Sequence, residues 1–306
     1  AVSSDVRQPT VKGARFVRVF PRVWRLASHD MSDEDWISAA LMSLPDQSHL
    51  TGISRIQALG LEFGPRTPLH FVRAGKLHLA IPGLFLHRTK SLAPTDDRGV
   101  TPAAAYLFFC SQARVIDAIV VGDWLLHQGH MTREELCSLA LAAPWRDGAH
   151  EALWVLPQLD HRPRSLKESE TRAVLTFAGL PCPEINSQVD VEGDAVIIAD
   201  LLFRPWRVVV EYEGRQHQTD RAQYSSDLDR YALLRSHGVP YVQVTQEKLT
   251  KAKTLVGEVF RLLVAQGYDG PPPAFGSAWR SLFRPIRESV GSREDWLRAY
   301  GRGAVG

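Results

Sequence analysis

Two neighbouring stretches decide how the second half of the chain reads: Val196-Ile197-Ile198-Ala199-Asp200-Leu201-Leu202-Phe203 and Val208-Val209-Val210-Glu211-Tyr212-Glu213-Gly214. Both have the length and the β-branched content of strands with little solvent contact. The link Arg204-Pro205-Trp206 is tight, so the pair is expected as an antiparallel hairpin that brings Asp200 beside Glu211. A carboxylate within such an apolar run is costly unless it meets a cation or hydrogen-bond donors. In an extended strand Glu211 and Glu213 point to one face, about 6 to 7 Å apart. Three converging carboxylates repel one another, and a hard divalent cation such as Mg²⁺ relieves the repulsion. The plainer alternative is a solvated strand end, an acidic pair closed by Gly214.

Outward from this hairpin the elements follow in a regular order. Ser165-Leu-Lys-Glu168 is a capping box, and it opens a helix that ends at Gly179 before Leu180-Pro181. A strand near Gln188–Val191 precedes the two quoted above. A long helix from about Asp220 to Ser236 stops at Gly238, and Val239–Val244 is a further strand. Thr245-Gln-Glu-Lys248 starts a last helix to about Ala265. Short connections make the first three strands an antiparallel meander, and the long helix lets the fourth return parallel to its neighbour. Beyond Gly270-Pro-Pro-Pro273, residues Trp279, Leu282, Phe283, Ile286 and Val290 fall at helical spacing, with Pro285 among them.

The segment from Ser165 to about Leu263 resembles the endonuclease-like domain known as DUF559, related to the very-short-patch-repair endonucleases of the PD-(D/E)xK superfamily. The likeness is carried by Ser169-Glu-Thr-Arg172, Ala178-Gly-Leu-Pro181, Asp200, and Val209-Val-Glu-Tyr-Glu-Gly-Arg-Gln-His217. Asp220-Arg221, Asp227, Arg230 and Gly238 follow. It implies an α/β fold, a restriction-endonuclease-like mixed sheet flanked by helices, and a phosphodiesterase using Mg²⁺, with Mn²⁺ as an alternative. It also implies metal ligation by Asp200 and Glu211, with Glu170 as a helix-borne acid behind them. The superfamily places lysine where this chain has Glu213, so Glu213 is expected to hold a second metal or serve as general base. His217 is the other candidate base. Arg215, Arg221 and Arg230 are expected DNA phosphate contacts, although Arg230 can instead pair with Asp227 along one helix.

The first half is organised differently. Phe16–Phe20 and Val23–Leu26 alternate apolar and basic residues around Pro21-Arg22, the pattern of a hairpin. Ser32 caps a helix to about Leu44, and a second helix runs to Ala58. Strands are expected near His70–Arg73, Leu77–Ile81 and Leu84–His87. Helices follow Thr101-Pro102, Val115 and Thr132. This region is similar to the amino-terminal part of AbiEi-like antitoxin proteins, on the matching stretches Val17–Arg25 and Leu50–Gly60. The expected division is a basic arm over 1–30, a mixed and largely helical domain over 31–160, a nuclease domain over 161–268 and a tail over 269–306.

Composition narrows the class. The chain has 306 residues, 44% hydrophobic and 23% charged, as in folded soluble domains. No run approaches the roughly 18 to 20 apolar residues that span a bilayer, so no membrane partner is expected. The first 20 residues lack the apolar core of a secretion signal. Cys110, Cys137 and Cys182 lie far apart, which fits a reducing cytoplasm and no zinc ribbon. Net charge is only +2, but residues 69–90 hold four Lys/Arg and three His with no acid. Two readings result: a metal-dependent DNA endonuclease of repair or defence, and a non-catalytic DNA-binding or antitoxin-type regulator that keeps the nuclease fold.

Overall fold

A computed structural model describes residues 15–191, 196–213 and 231–292. The chain is α/β and forms two compact units. The first takes the described residues up to Phe109 together with Glu134–Ala149, and the second takes Cys110–Arg133 and the described residues from His150 onward. The expected linear boundary at 161 is therefore not where the compact units divide. The physical reason is the helix Val115–His127, whose side chains are buried almost all round, so that it must pack within a core. It does so against the helix Leu166–Phe177.

The first unit opens with the hairpin β1 (Phe16–Phe20) and β2 (Val23–Leu26), turned through Arg22 in a left-handed conformation. In α1 (Asp33–Ser43) the Ser32 hydroxyl accepts from the Asp35 amide and the Asp35 carboxylate accepts from the Ser32 amide, a complete capping box. Next come β3 (His49–Leu50), α2 (Gly52–Gln57), β4 (Leu69–Ala74), β5 (Leu84–Thr89), the short pair β6 (Thr95–Asp96) and β7 (Gly99–Val100), and α3 (Pro102–Cys110). β4 pairs antiparallel with β3 and parallel with β5. The strand expected over Leu77–Ile81 is instead the return connection between these parallel neighbours, and it pairs only through an Ile81–Leu84 bridge. Phe20, Ala40, Leu50 and Phe71 form the core of this unit. Arg55, 2% exposed, ties α2 to the β6–β7 turn through the Val100 carbonyl and the Asp96 carboxylate.

The second unit begins with α4 (Val115–His127), and α5 (Arg133–Ala142) returns to the first unit. α6 (Ala149–Val155) and α7 (Leu166–Phe177) follow, then β8 (Glu184–Val189), β9 (Ile197–Phe203), β10 (Val208–Tyr212) and β11 (Tyr241–Val244). The sheet order is β11-β10-β9-β8. β8, β9 and β10 form the antiparallel meander and β11 lies parallel to β10, in keeping with the connection lengths. β8 starts four residues earlier than its apolar pattern indicated, because pairing with β9 continues to Glu184 opposite Leu202. Of the long helix expected over 220–236, only 231–236 lies within the described residues, and these are helical. Thr245 caps α8 (Gln246–Thr250), and the chain kinks at Lys251 before α9 (Ala252–Ala265). α10 (Ser277–Leu282) ends before Pro285, so the apolar spacing of the tail is not one continuous helix.

A buried ion pair joins α4 to α7. Arg172 donates at 2.8 Å to Asp123, which is 0% exposed, and at 2.8 Å to the Gln158 carbonyl. The Asp160 amide donates to the other Asp123 oxygen at 2.7 Å. Burial, opposed by Arg172, holds the Asp123 carboxyl up at about 6. The unfolded chain releases that proton near about pH 3.9, so the folded state binds it more tightly. The contribution of this group is therefore fully present below about pH 4 and falls as pH rises to about 6. Urea titrations should show the stability difference between wild type and Asp123→Asn falling across that window and levelling above it. Arg172→Met, which leaves the carboxylate buried and uncompensated, should cost about 3 to 5 kcal/mol at neutral pH.

Candidate functional site

Continuing the β9–β10 register outward from Val210 opposite Leu201 places Glu211 opposite Asp200. Directly opposed residues of an antiparallel pair share a face, so the two side chains start out side by side. The Asp200 Oδ2 accepts from the Tyr212 amide at 2.8 Å, and the Glu211 Oε1 accepts from the Asp200 amide at 3.3 Å. Each carboxylate is thus held by a backbone N–H of the other strand. Glu211 is 3% exposed, while Asp200 is half-buried. On β9 this face passes from buried Leu202, through Asp200, to exposed Ile198, so the pair sits where the sheet opens to solvent.

The third strand adds a residue that its sequence does not advertise. By the β8–β9 register, with Ile185 opposite Leu201 and Ser187 opposite Ala199, Asn186 stands across from Asp200. Its backbone is left-handed, φ +47°, which asparagine tolerates better than most residues. Its amide donates at 2.8 Å to Glu168 and at 2.9 Å to the Arg162 carbonyl. Glu168 is buried at the first turn of α7, and also accepts from the Arg164 amide. Glu168 rather than Glu170 therefore links this helix to the strand beside Asp200. In sequence it reads only as the acidic member of the Ser165 capping box, and its amide does donate to the Ser165 hydroxyl.

Glu170, expected behind the pair, is engaged at 2.6 Å by Lys167 on its own helix. Glu213 lies just past the end of β10, its amide donating to the Val244 carbonyl at 2.8 Å. Among the described residues no group of three or more His, Cys, Asp or Glu side chains is placed to hold a metal ion. The structure thus brings Asp200 and Glu211 together, and it does not assemble them with Glu213 and Glu170 into a larger acidic cluster. His217, Arg215, Arg221 and Arg230 lie outside the described residues.

The hairpin that carries the pair is locked from β8. Arg204, at the turn, donates from Nε and Nη2 to the two Glu184 oxygens, both at 2.7 Å, and from Nη1 to Asp190 at 2.9 Å. The Arg204 guanidinium holds the Glu184 carboxyl below its ordinary range. Arg207 completes the turn at φ +51°. This bidentate geometry ties the β9–β10 turn to the start of β8.

No protein-family model and no solved structure matches the chain. Two curated proteins from two strains of Mycobacterium tuberculosis, both described as uncharacterized, are 27% identical to it over 150 residues. The match takes in 49% of this chain and 55% of each relative. The chain thus spans about half the length of the curated relatives it matches.

The buried carboxylate yields a test that needs no ligand. Glu211→Gln keeps an oxygen acceptor for the Asp200 amide and removes a buried charge. In EDTA it should unfold at a urea concentration equal to or above that of wild type. Glu211→Ala leaves that amide without its acceptor and should cost about 1 to 3 kcal/mol. A Gln variant weaker than the Ala variant would contradict the geometry.

Proposed function

We propose that the second unit is a divalent-metal-dependent endonuclease domain acting on DNA, of the kind its resemblance to DUF559 and very-short-patch-repair endonucleases implies. The observation that carries this reading is the Asp200–Glu211 pair, two hard oxygen donors set on adjacent strands at an opening of the sheet. Two carboxylates, completed by water and substrate phosphate oxygens, are a donor set from which proteins hold Mg²⁺, so the residues fit the ion. When bound there, Mg²⁺ or Mn²⁺ would acidify water and neutralise charge on the phosphoryl oxygens.

The protein's own part is positional. The Tyr212 and Asp200 amides fix the two carboxylates before substrate arrives, which limits the reorganisation needed on binding. Glu213, beyond the strand end, is assigned to orienting the attacking water, with His217 as the alternative base. Arg215, Arg221 and Arg230 are assigned to the DNA phosphates. None of the described helices is long and apolar enough to cross a membrane. A DNA-acting protein of the cytoplasm is part of the same proposal.

A regulator reading also has a specific observation in its favour: the superfamily's lysine position is Glu213, and no third ligand joins the pair among the described residues. Asp200→Asn separates the two. It removes an anionic ligand and a charge that repels phosphate, so it should abolish Mg²⁺-dependent cleavage of plasmid, mismatched or branched DNA while binding stays intact or tightens. Glu213→Lys should keep or raise activity if Glu213 stands in for lysine, and remove it if Glu213 holds a second ion. A wild type that cuts none of these substrates with Mg²⁺ or Mn²⁺ leaves the regulator as the function.

A further inference from the structure

The basic stretch over 69–90 contributes to a groove in the first unit that the nuclease reading leaves unused. The groove has a volume of about 380 Å³ and is lined by His87, Arg88 and Lys90 of β5 and the segment after it, Phe108 of α3, and Trp145-Arg146-Asp147 after α5. Its floor is aromatic. The Phe108 ring meets His87 edge-on at 4.6 Å, and His87 in turn stacks on His70 at 5.2 Å. The two imidazoles share a hydrogen bond of 2.9 Å between His70 Nδ1 and His87 Nε2. Burial, and the neighbouring His70, hold His87 down at about 4, so at neutral pH the floor offers π surface and no charge.

The rim is cationic and carries one large exposed ring. Trp145 is 47% exposed, and the Arg146 guanidinium lies 4.5 Å over its centroid. Arg146 donates from Nη1 to the Ser91 carbonyl at 2.9 Å and from Nη2 to the Leu92 carbonyl at 2.8 Å, which holds its plane rigid beside the indole. Its Nε is buried with no hydrogen-bond partner. Arg88 and Lys90 are exposed residues of the lining, and Asp147 is its single acid.

We propose that this groove binds single-stranded nucleic acid, with an unpaired base against Trp145 and the flanking phosphates on Arg88 and Lys90. The charge balance of the rim, three cations to one carboxylate, calls for a polyanion. The half-exposed indole, pinned in place by a cation, calls for a flat partner, and nucleobases supply one at every residue of the strand. A duplex leaves the indole unfilled, since its base faces are already stacked on one another. An acidic peptide meets the cations but leaves the indole and the aromatic floor unfilled. The proposal extends the nucleic-acid reading made above, but it concerns binding and uses none of the acidic residues of the second unit.

The test is fluorescence anisotropy of a labelled oligo(dT) strand with the full chain in EDTA, where no metal-dependent cleavage occurs. Wild type should bind the single strand more tightly than polyglutamate of equal charge. Trp145→Leu keeps apolar bulk and loses the π surface, so it should weaken single-strand binding about tenfold and leave duplex binding unchanged. Arg88→Ala with Lys90→Ala, both at exposed positions, should flatten the log K against log salt slope by about 1.4. Equal binding of polyglutamate or full affinity in Trp145→Leu would overturn the proposal. Cleavage that persists beside such a failure removes the groove and keeps the nuclease. Single-strand binding without cleavage does the reverse.

Discussion

A carboxylate in a sheet interior must be answered by donors, and the second unit is arranged around that requirement. Glu211, 3% exposed, would be costly to bury if its oxygens met only apolar side chains. The fold answers it with the amide of Asp200, and answers Asp200 with the amide of Tyr212. Both solutions depend on β9 and β10 pairing in a single register. A slip of one residue would turn Asp200 to the other face and part the two carboxylates. The Arg204 fork onto Glu184 and the left-handed Arg207 hold the turn that sets this register.

The same logic of buried charge met by buried partners recurs at larger scale. Asp123 and Arg172 tie α4 to α7, and Glu168, two positions beyond Leu166 on that helix, ties α7 to β8 through Asn186. The helix beside the sheet is therefore held from both sides by polar contacts as well as by Val174 and Leu175 in the core. Such contacts are directional where apolar packing is not, so they determine how the helix is rotated against its neighbours. In the first unit Arg55 plays the equivalent part, holding α2 to the β6–β7 turn.

Function in this chain is separable in chemical type. The paired carboxylates of the second unit are proposed to meet a hard cation and a phosphodiester. The groove of the first unit has the opposite chemistry, a cationic rim over neutral aromatic rings, suited to the bases and phosphates of an unpaired strand. An acidic centre repels the polyanion on which it acts, so phosphate-binding groups elsewhere in a chain are physically useful to it.

What the sequence determined by itself was much of what depends on neighbours along the chain. Ser32, Ser165 and Thr245 cap the helices that follow them, and the apolar runs around Asp200 and Glu211 form adjacent strands. The short link at Pro205 sets those two acids side by side. Connection length likewise dictated an antiparallel meander with a parallel fourth strand. Tertiary structure alone decided the rest. It passed α4 into the second unit, because a helix buried on nearly every side belongs to the core that surrounds it. It gave Glu168 the contact with β8 and left Glu170 with Lys167, a choice set by the rotation of α7, which spacing does not reveal. It also brought Trp145 and Arg146 to Arg88 and Lys90 across more than fifty residues of chain, a meeting that depends on packing between elements and leaves no local periodicity to read.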